Sequence, residues 1–286
     1  MDKKELIERI TLKKEFSKLP EKDVELAFEK FDKPRNADYQ KLKLTRQFLR
    51  KVYSSFASRK LLGIKDRDVS WVLNKHKSTK ERLPYYEEVY GRIFKNMNEK
   101  TISVIDLGAG VNGFSYGFFI NKKINYIGVE AVGQLVDLMN YFFKGQKTML
   151  LTNSSTPEWR LCRRNKKRGQ IKEKINGKAF HLSLFETEKI KELIKKQSKP
   201  RIIFLFKVID SLEIIERDYS KKLLDEIVPL ADKVVLSFAT KSLGRRSRFG
   251  VQRLWIKKFI EENFEVLDNF EIGGEQYLIF QKSENL

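Results

Sequence analysis

The pattern of hydrophobic positions along the chain changes near residue 100. Beyond it, short runs of β-branched and aromatic residues alternate with segments whose apolar residues recur every three or four positions, as at 132–143 and 219–230. The runs predicted to be strands are 102–106, 125–130, 179–184, 201–206, 233–238, 264–270 and 276–281. This alternation predicts an α/β fold with a mostly parallel sheet. Only a Gly273-Gly274 turn separates the last two strands, which predicts an antiparallel hairpin at the sheet edge.

The first 95 residues carry a helical pattern and no convincing strand. Amphipathic segments begin near Leu6, Val24 and Tyr39, and Pro20 and Pro34 stop the first two of them. We expect about five helices here, which is the usual number for segments of this length. The sequence therefore predicts two domains, a helical one at 1–95 and an α/β one at 96–286.

Charge narrows the choice of partners. The 286 residues include 58 Lys and Arg against 38 Asp and Glu, which gives a net charge of +20 and a pI near 9.8. Such an excess points to a polyanionic partner, with nucleic acid first and an anionic membrane surface second. Charge that serves only solubility is the alternative explanation, because net charge constrains function weakly.

Other classes of protein are disfavoured by what the chain contains. Cys162 is the single cysteine, and there are two histidines and no C-x-x-C motif, so we expect neither an intrachain disulfide nor a metal site. No apolar run reaches the ~18 residues of a membrane span, and the N-terminal residues lack the apolar core of a signal peptide. We therefore expect a soluble, cytoplasmic protein, and a monomer.

A glycine-rich turn follows the first predicted strand. Gly108, Gly110 and Gly113 fit the pattern G-x-G-x-x-G, and we expect a strand, a tight turn and a helix there. Asp106 precedes the turn, where its carboxylate would repel a pyrophosphate and attract a cation. S-adenosylmethionine carries a sulfonium and an ammonium group and no phosphate, so this carboxylate favours it over NAD. The alternative is a turn that only joins strand to helix.

Glu130 ends the second predicted strand, 20 residues after Gly110. An acidic side chain at this place can accept hydrogen bonds from both ribose hydroxyls of an adenosine cofactor. It supports such a cofactor without choosing between S-adenosylmethionine and NAD. An exposed charge at a strand end is the alternative.

A basic insertion interrupts the alternation of strands and helices. Residues 144–178 hold eleven basic and two acidic residues, with Trp159 near the centre. A long basic segment with an aromatic residue is a candidate for binding nucleic-acid phosphates, and a solvated charge run is the equal alternative. The phosphate-binding candidates within it are Arg163, Arg164, Lys166 and Lys167.

Five ordered motifs resemble one enzyme family. They are HKSTKERL at 76–83, DLGAGVN at 106–112, FKVIDSLE at 206–213, SFATKSLGRRSR at 237–248 and EQYLIF at 275–280. In this order and spacing they are similar to motifs of the aminoglycoside-resistance 16S rRNA (guanine-N7) methyltransferases, of the Arm, Kam and Fmr type. The resemblance runs from about residue 76 to the C-terminal strand, by the extent of these motifs.

The resemblance implies a Rossmann-like, S-adenosylmethionine-dependent methyltransferase domain with a seven-stranded, mostly parallel sheet, behind an N-terminal helical domain that binds rRNA. It implies methylation of N7 of a guanine in the decoding-site region of 16S rRNA, within the small ribosomal subunit. Transfer to N7 needs no general base, because that nitrogen has a free lone pair.

The resemblance also implies roles for individual residues. The cofactor site would comprise His76, Ser78, Thr79, Arg82, Asp106, Gly108, Gly110, Asn112, Glu130, Ala131 and Ser183. Arg82 would hold the cofactor carboxylate and Asp106 its ammonium group. Lys207 would be the catalytic residue, at the mouth of the site near the target base. The RNA-binding loop would present Lys241, Ser242, Arg245, Arg246 and Arg248.

The chain departs from the family pattern at several positions. Gly113 replaces a proline, Glu130 replaces an aspartate, Asp210 stands at a proline and Arg246 replaces a glycine. The strand at 179–184 is followed by no clear acidic residue to bind adenine, so Ser183 is a weak substitute. These departures leave two alternatives open: a methyltransferase of another RNA such as tRNA, and a catalytically inactive rRNA-binding protein.

Overall fold

A seven-stranded sheet organises the protein. The computed structural model describes residues 2–53, 61, 68–119, 122–145, 175–240 and 253–283. The strands are β1 (Thr101–Leu107), β2 (Lys123–Glu130), β3 (Asn176–His181), β4 (Arg201–Phe206), β5 (Lys233–Ala239), β6 (Phe264–Ile272) and β7 (Glu275–Lys282). Their order is β3-β2-β1-β4-β5-β7-β6; β7 is antiparallel to both neighbours and all other pairs are parallel. The predicted α/β class, the seven strands and the edge hairpin are confirmed.

The helices fall into two groups. Those before the sheet are α1 (Lys3–Thr11), α2 (Glu21–Glu29), α3 (Asp38–Tyr53), α4 (Val69–Lys75), α5 (Lys77–Arg82) and α6 (Tyr86–Ile93). Those between and beside the strands are α7 (Gly133–Lys144), α8 (Thr187–Lys195), α9 (Ile209–Ile215), α10 (Tyr219–Ile227) and α11 (Leu254–Asn263). Short 3-10 segments occupy Leu83–Tyr85, Asn112–Phe118 and Val228–Leu230. None of the helices in the described ranges combines the length and the apolar character needed to cross a lipid bilayer.

The two faces of the sheet bury separate hydrophobic clusters. In β1, Ile102 and Val104 belong to one cluster, whereas Ile105 and Leu107 belong to the other, as the period-two geometry of a strand requires. The first cluster also contains Phe28 from α2 and Phe16 from the turn between α1 and α2. The N-terminal helices therefore share one core with the sheet, where each fully buried apolar side chain contributes about 1.5–3 kcal/mol. The division into two functional domains stays a prediction.

The segment after the glycine turn differs from the expected helix. Residues 112–118 form a 3-10 segment instead of an α-helix. Two glycines within it, Gly113 and Gly117, weaken α-helix propagation. The Asn112 side chain is also drawn back to Asp106 by a 2.7 Å hydrogen bond, and Ser115 bonds the Asn112 carbonyl at 2.7 Å. Local bonds thus tighten this turn.

The strand β3 lies three residues earlier than predicted. It pairs in parallel with β2 from Asn176 opposite Asn125 to His181 opposite Glu130, so it ends where β2 ends. The Asn140 side chain of α7 bonds both backbone groups of Ala179, at 2.8 and 2.9 Å. Ser183 therefore lies beyond the strand, in the turn that leads to α8.

Candidate functional site

A cleft opens at the carboxyl ends of β1, β2 and β4, which is where open α/β sheets bind their ligands. Its open space, mouth included, is about 880 Å³. Ten of the eleven predicted cofactor-binding residues line it, together with Lys207: His76, Ser78, Thr79, Arg82, Asp106, Gly108, Gly110, Asn112, Glu130 and Ala131. Folding thus collects in one place the residues that the motifs singled out.

The remaining predicted residues lie elsewhere. Ser183 is buried and, unlike its neighbours Leu184 and Phe185, does not line the cleft. Its hydroxyl accepts a 3.0 Å hydrogen bond from the Phe185 amide. The predicted RNA-binding residues lie outside the described residues: Arg163, Arg164, Lys166, Lys167, Lys241, Ser242, Arg245, Arg246 and Arg248. Asp210 is exposed and pairs with Arg253, so its charge is directed to that partner.

The glycine turn is shaped by backbone angles that favour glycine. Gly108 and Gly110 have φ angles of 75° and 56°, in the left-handed region. The amides of Gly108 and Ala109 both donate to the Val129 carbonyl, at 2.9 and 3.0 Å, and so fix the turn against β2. A Cβ atom on Gly110 would lie 2.7 Å from Nε2 of His76. The turn is therefore closely covered by the His76 ring.

Asp106 is held rigidly beside this turn. Its Oδ2 atom accepts bonds from the Asn112 amide at 2.7 Å and the Tyr126 hydroxyl at 2.6 Å. Burial raises the pKa of Asp106, while these two donors and the charge of Arg82 oppose the rise. A carboxylate in this setting is stabilised further by a ligand cation.

Glu130 spans two turns with its two oxygens. Oε2 accepts from the amide of Gly110 and Oε1 from the amide of Val132, each at 2.8 Å. Burial raises the pKa of Glu130, and the two amides partly offset that effect. The side chain therefore ties the ends of β1 and β2 together as well as facing the cleft.

Arg82 lies at the centre of a buried polar cluster. Its Nη2 atom is 2.7 Å from Oε1 of Glu275 and 3.2 Å from the Ser78 hydroxyl. Its Nε donates to the Tyr277 hydroxyl at 3.2 Å and its Nη1 to the Asn112 side chain at 3.3 Å. Burial would raise the pKa of Glu275, but the charges of Arg82 and Lys207 lower it below its ordinary value.

Lys207 directly follows β4 with a φ angle of 57°, which is uncommon for a residue with a side chain. Its Nζ atom lies 2.6 Å from Glu81 and 3.0 Å from Glu275, and the side chain is 8% exposed. The ammonium group is thus held between two carboxylates at the cleft wall.

His76 is neutral in this site. Burial, followed by the charges of Arg82 and Lys207, lowers its pKa to about 3. An imidazole with this pKa stays uncharged throughout the physiological range. The ring serves here as a wall over the glycine turn.

Four polar residues of the site escaped the sequence analysis: Glu275, Glu81, Asp23 and Tyr53. Glu81 and Glu275 stand inside the motifs at 76–83 and 275–280, and this position was the available signal. Asp23 and Tyr53 come from α2 and α3 and line the cleft although no motif marks them. Asp23 is 2% exposed and accepts a hydrogen bond from the Tyr53 hydroxyl.

The charges of the site define what it can hold. Three buried carboxylates line the cleft, those of Asp23, Asp106 and Glu130, and the Asn112 side chain links Asp106 to Arg82. They disfavour a phosphate and suit amine, ammonium and hydroxyl donors. Among the described residues, no group of three or more His, Cys, Asp and Glu side chains has the arrangement of a metal site.

Sequence comparisons identify one informative relative. No protein-family profile matches the chain. A 16S rRNA (guanine(1405)-N(7))-methyltransferase from Proteus mirabilis is 24% identical over 217 residues, which cover 74% of this chain and 64% of that enzyme. The match therefore spans slightly less than two thirds of the relative.

Structural comparisons extend over the whole chain. The 16S rRNA methyltransferase RmtF, solved with S-adenosyl-L-homocysteine, matches with a TM-score of 0.70 and 18% identity over 99% of this chain and 100% of that one. The 16S rRNA methylase RmtB matches with a TM-score of 0.70 and 17% identity, covering 99% of both chains. These matches confirm the Rossmann-like methyltransferase fold and the predicted resemblance.

Proposed function

We propose that this protein is an S-adenosylmethionine-dependent methyltransferase that modifies N7 of a guanine in the decoding-site region of 16S rRNA. The observation that carries the proposal is the cleft itself. It brings together the turn glycines, Asp106, Glu130 and Arg82 at the carboxyl end of a sheet whose fold is that of RmtF and RmtB. The Proteus mirabilis relative carries the guanine-N7 specificity in its name, which supports the same specificity here.

The residues of the cleft fit this cofactor. Asp106, buried and held by two donors, is proposed to bind the ammonium group, and Glu130 the ribose hydroxyls. Gly108 and Gly110 leave room for close approach of the methionine part. Arg82 is proposed to bind the carboxylate while Glu275 holds it in place. When bound, the cofactor supplies an electrophilic methyl group on a sulfonium.

The remaining side chains suit a reaction without a general base. The lone pair of guanine N7 is the nucleophile, so the protein must align the base and exclude water. The lowered pKa of His76 makes it a weak base and Lys207 is ion-paired, so neither is set to accept a proton from the substrate. We propose that Lys207 and its carboxylates shape the wall against which the target base lies. Extrusion of that base costs a few kcal/mol.

The substrate side of the proposal rests on charge. The chain carries +20, and residues 1–95 contain 25 basic and 15 acidic residues. We propose that the N-terminal helices, the insertion at 144–178 and the loop at 241–248 contact rRNA phosphates. A monomer without a metal ion, acting in the cytoplasm on the small ribosomal subunit, is the corresponding proposal for assembly and location.

Methylation mapping tests the proposed function. Purified protein is incubated with S-adenosylmethionine labelled in the methyl group and with small ribosomal subunits, free 16S rRNA or tRNA. Modified guanines are located by strand cleavage at N7-methylguanine. Label at one decoding-site guanine supports the proposal, whereas label only in tRNA indicates another RNA substrate. Absence of label from every RNA, with tight subunit binding, indicates an inactive rRNA-binding protein.

The Asp106→Ala variant is the matched control for this assay. We expect it to lose cofactor affinity while its affinity for the small subunit changes little, because Asp106 is buried in the cleft. Calorimetry with S-adenosylhomocysteine and filter binding with subunits measure the two affinities. Equal losses in both would contradict the assignment of Asp106 to the cofactor.

A further inference from the structure

The N-terminal helices reach into the cofactor cleft. Asp23 from α2 and Val52 and Tyr53 from the end of α3 line it beside residues of the sheet. A region expected to serve RNA binding thus supplies a buried carboxylate to the other site. This carboxylate has no part in the function proposed so far.

The two oxygens of Asp23 differ. Oδ1 accepts a hydrogen bond from the Tyr53 hydroxyl, whereas Oδ2 is buried and has no hydrogen-bond partner among the described residues. Leaving a buried acceptor without a donor is costly, and native structures seldom keep one without a use. The unpartnered oxygen of a 2% exposed residue in a cleft wall therefore points to a donor on a ligand.

The surroundings of Asp23 identify the part of the cleft it serves. Burial raises the pKa of Asp23, and the nearby Ser183 and Tyr53 hydroxyls oppose that rise. Burial also raises the pKa of Glu130, and the charge of Asp23 adds to this effect. Asp23 therefore lies near the ends of β2 and β3. If Glu130 binds the ribose, the purine attached to that ribose lies beside Asp23.

The neighbouring surface suits a flat aromatic ring. Val132, Leu135, Leu184 and Phe185 line the same cleft and provide apolar contacts. A carboxylate accepts hydrogen bonds and cannot donate them when it is ionised. Among purine substituents, an exocyclic amino group is the donor that would match it.

We propose that Asp23 accepts a hydrogen bond from the 6-amino group of the cofactor adenine and so selects adenine over a 6-oxo purine. This inference rests on the proposed function, because it assumes an adenosine cofactor. It assigns to Asp23 of α2 the contact with adenine for which Ser183 was the predicted substitute. Tyr53 is then a positioning residue, since its hydroxyl holds the other oxygen of Asp23.

Calorimetry with two product analogues tests this inference. S-adenosyl-L-homocysteine carries the 6-amino group, and S-inosyl-L-homocysteine carries a carbonyl oxygen in its place. The dissociation constants of both are measured for the wild type and for Asp23→Asn. We expect the wild type to bind the adenosyl compound more than about 10-fold tighter, since a charged hydrogen-bond acceptor faces either a donor or a repelling oxygen.

For Asp23→Asn we expect about 10-fold weaker binding of the adenosyl compound and a preference reduced to within about 3-fold, because an amide can also donate to the carbonyl. Tyr53→Phe should shift the preference in the same direction by a smaller factor. Glu21→Gln removes a charge from the same first turn of α2 at an exposed position and should leave both constants unchanged.

The outcomes separate the two proposals. An unchanged preference in Asp23→Asn, with tight binding by the wild type, overturns the role of Asp23 and leaves the proposed function intact. Failure of the wild type to bind either compound overturns the cofactor assignment and this inference with it. The preference is a ratio of constants, so it does not depend on the folded fraction, and Tyr53→Phe decides it if Asp23→Asn does not fold.

Discussion

The two ends of the cleft treat buried charge differently. At one end Arg82 and Lys207 meet Glu275 and Glu81, so that each cation has a carboxylate within 3.0 Å. At the other end Asp23 and Glu130 face the cleft, and burial raises the pKa of both. No ion pair to either of these two carboxylates is found within the described ranges.

This difference separates charges that the protein neutralises from charges that it leaves for a ligand. In a buried ion pair the two charges neutralise each other before any ligand binds. Removing one partner leaves the other charge buried and unpaired, which destabilises the folded protein. A buried carboxylate without a cation makes the folded protein less stable and is retained where a ligand donor uses it. The following substitutions test the comparison, from the largest expected effect to the smallest.

Breaking the paired end should cost the most. Arg82→Met leaves Glu275 buried with one cation fewer, and we expect the free energy of unfolding to fall by about 3–5 kcal/mol in urea denaturation. The double variant Arg82→Met, Glu275→Gln should recover much of this loss. Arg92→Ala, which breaks an exposed pair with Asp268, should cost less than about 1 kcal/mol. Similar losses in the free energy of unfolding for Arg82→Met and Arg92→Ala would show that the buried pair contributes no more to stability than the exposed pair.

A substitution in the glycine turn between the two ends of the cleft should destabilise the fold nearly as much as Arg82→Met. Gly110→Ala forces a side chain into the left-handed region and against His76, so we expect a loss of about 2–4 kcal/mol and weaker binding of S-adenosylhomocysteine. The control is Gly91→Ala in α6, where a Cβ meets nothing within 4 Å and helix propensity improves by up to about 1 kcal/mol. Urea denaturation of both variants measures the contrast; equal stabilities would refute it.

Neutralising each of the two carboxylates without an ion pair, Glu130 and Asp23, should change the stability of the folded protein in opposite directions. Glu130 accepts two backbone amides, and a glutamine would place an NH₂ group against one of them. We therefore expect Glu130→Gln to lose about 1–3 kcal/mol. Thermal unfolding at neutral pH measures this loss, and a gain in melting temperature would contradict the bonding described for Glu130.

Asp23→Asn should instead raise the melting temperature at neutral pH, by the equivalent of about 1 kcal/mol, the lower end of the cost of an unsatisfied buried polar group. Burial raises the folded pKa of Asp23 above its unfolded value, so its contribution to stability is present at acid pH and is lost as pH rises through the folded pKa. The difference between variant and wild type should therefore grow from pH 4 to pH 7. A constant difference would indicate that Asp23 keeps an ordinary pKa.

The strands were predictable because their cause is local. The runs that form β1, β4 and β5 are almost wholly apolar, since both faces of a parallel sheet are covered by helices. The early start of β3 was not predictable in this way. Its residues 176–178 are Asn, Gly and Lys, which do not form an apolar run, and their strand conformation depends on pairing with β2.

The site residues also differ in whether the sequence alone could predict their position. Asp106, Glu130 and the glycines lie next to strand ends, so their position follows from the strands themselves. Glu275 meets Arg82 across 193 positions in the chain, and Asp23 of α2 approaches Ser183, which lies in the turn after β3, so only folding brings these groups together. The 3-10 segment after the turn likewise depends on the contact of Asn112 with Asp106.

The place of β7 in the sheet has a consequence for how the protein matures during synthesis. Translation produces Arg82 193 residues before Glu275, and β7 must insert between β5 and β6 to deliver that carboxylate. At a typical translation rate of about 5–20 residues per second, Glu275 is synthesised on the order of ten seconds or more after Arg82. A chain interrupted before β7 therefore lacks the carboxylate that pairs with Arg82 in the complete fold.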